Sequence, residues 1–350
     1  MKCPVTLAVF FGVIILGLNL SCSSASYNAK SPALHDGKYD SEFPSQNSSE
    51  ELDKISHTIY RLNCVSFYKA YIFSDDSKIK LKDLNDSVIN TRSIKKTYMD
   101  RSTSGTATLI YSSGGTLGLL TCAHVIDFPD TIISYYGEIS GTPTDYIQSV
   151  AFKSKQFIYA AGFPEGSEVK EILADKSADI AILGNHYSLE NAVRFPVFDY
   201  PFGKAKELEW GDFVYVFGYP LNYKMISNAI VSSPDYDRSG SFFIDAVVNR
   251  GYSGGLVLAI RDGIPNFELV GIIEWVAEDN ENILQPAPLE GALKYNPLVP
   301  YSGSTFVKQE KFLKYGITKV ISIESIKNFL EKNKDYFIQK GYDFSIYNKE

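Results

Sequence analysis

The chain has 350 residues, enough for one large domain or two small ones, and 45% of them are hydrophobic, which is ample material for a core. A formal net charge of −7 removes the electrostatic reason to expect nucleic-acid binding, so no nucleic acid is expected as a partner. The sequence holds no C-x-x-C, H-E-x-x-H or phosphate-loop pattern, and neither a metal nor any other cofactor is expected.

Met1-Lys2 followed by the apolar run from Val5 to Leu18 reads as a secretory signal. The run is too short, and too near the terminus, to favour a permanent membrane span. It leads into Leu18-Asn19-Leu20-Ser21-Cys22-Ser23-Ser24, which is similar to a bacterial lipoprotein cleavage site. Residues 1–22 are therefore expected to be a lipoprotein-type signal peptide, with Cys22 as the lipid attachment point. Asn19 fits that box weakly, and cleavage after Ala25 is the alternative. Either route predicts a cell-envelope location, and the lipid route adds a membrane as partner. Residues 23–50, rich in Ser, Asn, Asp and Pro without periodicity, suit a flexible tether.

From Glu51 to Phe73 the apolar residues Leu52, Ile55, Ile59, Leu62 and Val65 recur at threes and fours, the spacing of a helix stripe. Residues 51–94 are accordingly expected to form an N-terminal helical extension, with a polar connection over 74–101. From Gly105 onward short β-rich runs alternate with Gly, Pro, Asp and Ser turns. They are Thr106–Tyr111, Leu117–Thr121, Gln156–Ala160, Ile180–Leu183, Phe213–Phe217, Phe242–Val248, Leu256–Ile260, Leu269–Trp275 and Ile317–Ile323. That density indicates an all-β barrel or sandwich. An amphipathic helix then starts at Ser322 or Ser325, with Ile326, Phe329 and Leu330 on one face. Residues 277–315, carrying Pro286, Pro288, Pro297 and Pro300, read as a long connection, either a lid or recognition surface or a surface elaboration.

The chemistry converges on Asn249-Arg250-Gly251-Tyr252-Ser253-Gly254-Gly255. Glycines at 251 and 254 admit backbone angles closed to other residues. The turn can present the Ser253 hydroxyl while aiming the N–H groups of Gly251 and Ser253 at one point, where an oxyanion could develop. A serine hydroxyl needs an adjacent base. The histidines are His35, His57, His124 and His186, and all precede Ser253, which excludes the elbow of the α/β-hydrolases, whose histidine follows the serine. His124 closes the apolar strand Leu119-Leu120-Thr121-Cys122-Ala123-His124-Val125 and is the best candidate, with His186 the runner-up. Asp179, entering the strand Ile180-Ala181-Ile182-Leu183, would be desolvated unless paired, and an imidazole N–H is a suitable partner. A strand-entry aspartate capping its own turn is the alternative reading.

Thr121–Val125, Ala178–Leu183 and Asn249–Gly255, in that order, resemble the three catalytic blocks of chymotrypsin-fold (trypsin-like) serine proteases, most of all the bacterial HtrA/Deg branch. Ser104–Ile110, Trp210–Pro220 and Gly271–Trp275 add to the resemblance, which covers about residues 95–335. It implies an all-β fold of two six-stranded antiparallel β-barrels with a C-terminal helix, barrel 1 at about 95–200, barrel 2 at about 205–323 and the helix at about 322–335. It implies a serine endopeptidase acting on protein or peptide substrates, with His124, Asp179 and Ser253 as catalytic residues and the Gly251 and Ser253 N–H groups as the oxyanion hole. By the family pattern the substrate pocket would be walled by Val247, Trp275 and Val276, favouring cleavage after small or medium apolar residues. No PDZ module follows the last helix in this pattern.

The departures have consequences. Tyr252 stands where digestive-type members carry an aspartate that pairs with a newly cut N-terminus, so activation by that route is not expected. Arg250 and Leu256 adjust the serine loop. Glu274 would fall close to Asp179, and two carboxylates that near would repel unless one turns away. Cys64 and Cys122 could form a disulfide in an oxidising compartment, or Cys122 could be a buried free thiol. The reading from another class is a catalytically silent barrel serving as an anchored peptide-binding or sensor module.

Overall fold

The computed structural model describes residues 36–348 except 138–143, 164–167, 187–194, 287–297, 299 and 301–304. The expected signal peptide, Cys22, His35 and most of the expected tether lie outside the described residues.

Ser49–Ser56 is a helix (α1), and Ile59–Ile72 is a fourteen-residue strand (β1). The helical extension expected over 51–94 is thus corrected after one short helix. Beyond Tyr60 the buried residues are Leu62, Cys64, Ser66, Tyr68 and Ala70, with Arg61, Asn63, Val65, Phe67 and Lys69 facing outward. That is the alternation of a strand, and Leu62 and Val65 fitted the helix stripe by coincidence. Barrel 1 therefore begins at Ile59 rather than at 95. A helix at Asp86–Arg92 (α2), with Asn85 Oδ1 accepting from Val88 N, lies between β1 and the next strand.

Lys95–Ser113 (β2), Thr116–Thr121 (β3), Thr131–Tyr135 (β4), Ile147–Ala160 (β5), Glu168–Asp175 (β6) and Ile180–His186 (β7) follow. The order is β1-β2-β3-β7-β6-β5-β4, and β1 also pairs with β5, so six strands close on themselves with β4 added outside β5. Every residue of β3 is buried, because the C-terminal segment covers its outer face. A Cβ on Gly118 would lie 3.2 Å from the Tyr342 ring and 3.4 Å from that of Phe344.

The second closed barrel uses Phe213–Gly218 (β8), Met225–Ser233 (β9), Phe242–Ile244 (β10), Leu256–Ile260 (β11), Phe267–Pro286 (β12) and Thr305–Ser322 (β13), in the order β10-β13-β12-β11-β8-β9. The two closed six-stranded antiparallel barrels agree with the expected fold. Ser322 caps the helix Ile323–Lys332 (α3) by accepting from Ser325 N, and α3 buries Ile323, Ile326, Phe329 and Leu330. Lys334–Gln339 (α4) follows. The long connection expected at 277–315 is shorter, since β12 runs to Pro286 and β13 starts at Thr305, paired from Glu278–Leu313 to Pro286–Thr305. Charged residues interrupt the alternation there and hide the strands.

The expected tether is docked before residue 50. Tyr39 is buried, its hydroxyl donates to Glu268 Oε2 at 2.6 Å and accepts from Lys204 N, and the Arg261 guanidinium lies 4.0 Å above its ring. One continuous apolar core links the two barrels. No helix among the described residues is long and apolar enough to cross a membrane.

Candidate active site

His124 lies in a single 3-10 turn, Ala123–Val125, that ends β3 and points the imidazole out of the core. Asp179 sits at the mouth of β7 on a turn built by Asp175, whose Oδ1 accepts from Ser177 N, Ser177 Oγ and Ala178 N. The two segments are laced together. Ala123 N donates to the Asp179 carbonyl at 3.1 Å, and His124 N donates to Asp179 Oδ1 at 2.7 Å. His124 Nδ1 lies 2.6 Å from Asp179 Oδ2. A carboxylate only accepts, so Nδ1 carries the proton and Nε2 presents its lone pair away from Asp179. The Asp179 side chain is 18% exposed and that of His124 46%, so the pair is shielded on one side and open to a substrate on the other.

The serine turn needs all three of its glycines for close approach, since a Cβ at Gly255 would stand 2.2 Å from the Phe217 carbonyl. Gly251 (φ 105°) and Gly254 (φ 82°) occupy the left-handed region. A Cβ at Gly251 would stand 2.3 Å from the Tyr219 carbonyl, and one at Gly254 2.2 Å from the Thr106 carbonyl. The donors along the turn then separate cleanly. Arg250 N is taken by Asn249 Oδ1, Tyr252 N by Asn249 O, Gly254 N by Ile273 O and Gly255 N by Tyr252 O. Among the described residues, the N–H groups of Gly251 and Ser253 have no protein acceptor. Two amides without a protein acceptor, at the serine and two residues before it, leave donors available to an anion at this turn.

Thr106 fastens this turn to barrel 1. Its N–H donates to Ser253 O at 2.8 Å, its hydroxyl donates to Gly251 O at 2.7 Å, and that hydroxyl accepts from Tyr219 N. Thr121, three residues before His124, donates its hydroxyl to the Thr106 carbonyl at 2.8 Å. Ser253 and His124 are thus held by neighbouring strands of one sheet.

Residues 105–272 match the family described as trypsin-like peptidase domain. The chain carries a trypsin-like peptidase domain. That places it with the chymotrypsin-fold serine peptidases. Among solved structures the peptidase is similar to Deg5, at 16% identity over 66% of this chain and 87% of that one, with a TM-score of 0.34. It is also similar to kallikrein-related peptidase 10, at 12% identity over 68% of this chain and 90% of that one, with a TM-score of 0.34. No match is found among curated proteins.

The other described histidines of the peptidase are engaged elsewhere. His186 Nδ1 lies 2.9 Å from Thr116 Oγ1 at the far end of β7, and His57 Nε2 lies 3.5 Å from Asp53 Oδ2 on the surface. Tyr252 is buried beneath the serine turn, its ring against Gly218 and its hydroxyl 2.8 Å from that of Ser227. Cys64 and Cys122 are both free and buried, so they form no disulfide. Burial pushes the Cys64 thiol up to about 12. Burial raises Cys122 too, assisted by the negative charges of Asp179 and Glu274. Cys122 Sγ, His124 Nδ1 and the Asp179 carboxylate lie within 4.8 Å of one another and could reach a common cation. The raised thiol and the direct His124–Asp179 bond fit an internally paired relay better than a ligand set.

Val247 is 71% exposed and lines a cavity of about 670 Å³ with Phe43, Phe213, Ile226 and Ile230, which does not include Trp275. Trp275 is half-exposed, its ring edge-on to Phe243 at 6.2 Å. Val276 pairs through its backbone with Thr318, and its side chain lies outside the described residues. Sequence reasoning missed Thr106, Thr121 and Lys319. The first two lay inside recognised blocks, but their side-chain roles depend on partners far away in the chain. Lys319 forms a 2.9 Å ion pair with Glu274.

Proposed function

We propose that the chain is an extracytoplasmic serine endopeptidase of HtrA/Deg pattern that hydrolyses peptide bonds through an acyl-enzyme. In this reading His124 Nε2 removes the Ser253 proton as the hydroxyl attacks the scissile carbonyl, then returns it to the leaving amine. Asp179 holds the Nδ1–H tautomer and stabilises the imidazolium. The Gly251 and Ser253 N–H groups receive the oxyanion. The observation that carries the reading is a carboxylate-oriented imidazole on a segment that Thr106 and Thr121 tie to a serine turn with two unspent amides.

Among the described residues no hydrogen bond joins Ser253 Oγ to His124, so the reading requires that contact to close when substrate binds, as catalytic contacts often do. The same observation favours a second reading, a silent peptide-binding module. Hydrolysis of an unfolded protein substrate separates the two. The endopeptidase reading predicts cleavage that Ser253→Ala abolishes, whereas a silent module binds the substrate and leaves it intact.

Cleavage after small or medium apolar residues follows only if Val247 turns into the pocket, and a peptide-library profile dominated by basic residues counts against it. The envelope location rests on the signal-like segment at residues 1–22. Metabolic incorporation of a labelled fatty acid that disappears in Cys22→Ala supports the lipid anchor, and no incorporation into the wild-type chain removes it.

A further inference from the structure

Leu221 adopts φ 48° and Asn222 φ 71°, so two consecutive residues, neither of them glycine, stand in the left-handed region shortly after β8. Asparagine tolerates that region, but a leucine there is an outlier that something must hold in place. Side-chain packing does not hold it, because Leu221 is 63% exposed. What Leu221 contributes is backbone: its N–H donates to the Arg250 carbonyl of the serine turn at 3.2 Å. Backbone outliers of this kind gather at functional sites.

The bond matters because of the peptide it holds. The two turn amides without a protein acceptor, those of Gly251 and Ser253, belong to the trans peptides Arg250–Gly251 and Tyr252–Ser253. In a planar trans peptide the N–H points opposite to the carbonyl, so whatever fixes one fixes the other. The Tyr252 carbonyl is fixed within the turn, by Gly255 N at 2.7 Å. The Arg250 carbonyl is fixed from outside it, by Leu221 N.

The Leu221 loop is itself tied down on both sides. Tyr219 N donates to Thr106 Oγ1 at 3.0 Å, and Tyr223 N donates to Pro220 O at 2.9 Å. The loop also presses on the turn, since the Tyr219 carbonyl is the atom that a Cβ at Gly251 would meet.

We propose that Leu221 is a positioning residue for the oxyanion: its left-handed backbone aims its N–H at the Arg250 carbonyl and thereby turns the Gly251 N–H the opposite way, to receive the developing charge. This rests on the endopeptidase reading above and deepens it. Leu221 acts through one peptide plane and not through its side chain.

The test is the rate of fluorophosphonate inactivation of the full chain against pH. Its plateau reports the oxyanion donors, and its acid limb reports the imidazole. Leu221→Pro removes the donor and cannot reach a positive φ. Its plateau falls about 10²-fold, the order of one lost oxyanion donor, with the acid limb at the wild-type pH. Leu221→Ile keeps the N–H, but a β-branched side chain resists the left-handed region, and its plateau falls roughly five- to tenfold. Leu221→Gly and Leu221→Asn accept that backbone and stay within about twofold of wild type.

A wild-type plateau in Leu221→Ile overturns the proposal. So does a plateau in Leu221→Gly or Leu221→Asn as low as that of Leu221→Ile, or an acid limb that moves together with the plateau. Should Leu221→Pro fail to fold, the order of Leu221→Ile against Leu221→Gly and Leu221→Asn decides. Wild-type protein that is not labelled at all defeats the endopeptidase reading instead, which keeps the two failures distinct.

Discussion

Asp179 adopts φ 56°, a left-handed conformation that aspartate and asparagine tolerate far better than most side chains. The strain is small, and it turns one carboxylate toward both the backbone and the ring of His124. Asp179→Asn should therefore keep the fold, including acceptance from His124 N, yet lose the charge and favour the wrong tautomer. We expect kcat to fall by about 10⁴-fold with an unchanged unfolding midpoint. A loss below tenfold would show that Asp179 is only a capping residue.

The residues proposed to do chemistry were legible because each stands in a short local pattern, an apolar strand ending in histidine, an aspartate entering a strand, and a serine among glycines. Thr106, Thr121 and Lys319 carry no such local mark. Their roles exist only once β2, β3, β12 and β13 are side by side, and a single sequence does not display pairings across long separations. The pocket was read by analogy alone.

At the scale of elements, the turn Asp175–Ala178 sets where Asp179 emerges. The Ser177 hydroxyl, then the Ala178 and Ser177 N–H groups, hold the Asp175 carboxyl below its ordinary range, against a modest opposing effect of burial. A depressed folded-state value means that this group's stabilisation is present above about pH 4, the unfolded range, and is lost as pH falls through the folded value. Asp175→Ala should lower the urea midpoint at pH 6 and shrink the further drop between pH 6 and pH 3. An acid drop identical to that of wild type would remove Asp175 from the account.

The element most clearly misread was β1, where Ile55, Ile59 and Leu62 continued the spacing of α1 into a strand. The competing alternation rested on Cys64, Ser66, Tyr68 and Ala70, two of them small or polar, and so was faint in hydropathy. By contrast β3, β8 and β11 are short runs buried throughout, as is β7 over Ile180–Gly184, and their largely apolar character made them visible.

Over the whole molecule, the segment before α1 is built into barrel 2. Asp40 N donates to Ile260 O, Phe213 N donates to Asp40 O, and Tyr39 joins Arg261 and Glu268. Tyr39→Phe keeps the ring under Arg261 but strips Glu268 of a donor and Lys204 N of an acceptor. Unsatisfied, partly buried groups of this kind cost about 1–3 kcal/mol, so the urea midpoint should fall measurably. An unchanged midpoint would mean that the docked segment adds little. The C-terminal segment ties in similarly, since the Tyr347 hydroxyl meets the carbonyls of Ile110 and Phe198, both at 2.7 Å. Both ends of the described chain thus brace the two barrels whose junction holds His124, Asp179 and Ser253.

The central claim is that Ser253 is the nucleophile made reactive by this junction. Fluorophosphonate labelling of the folded protein, with the adduct mapped by peptide mass spectrometry, tests it most directly. The account predicts a stoichiometric adduct on Ser253 that disappears in Ser253→Ala and falls steeply in His124→Ala. An unlabelled wild-type protein, or an adduct that persists in Ser253→Ala, would contradict it.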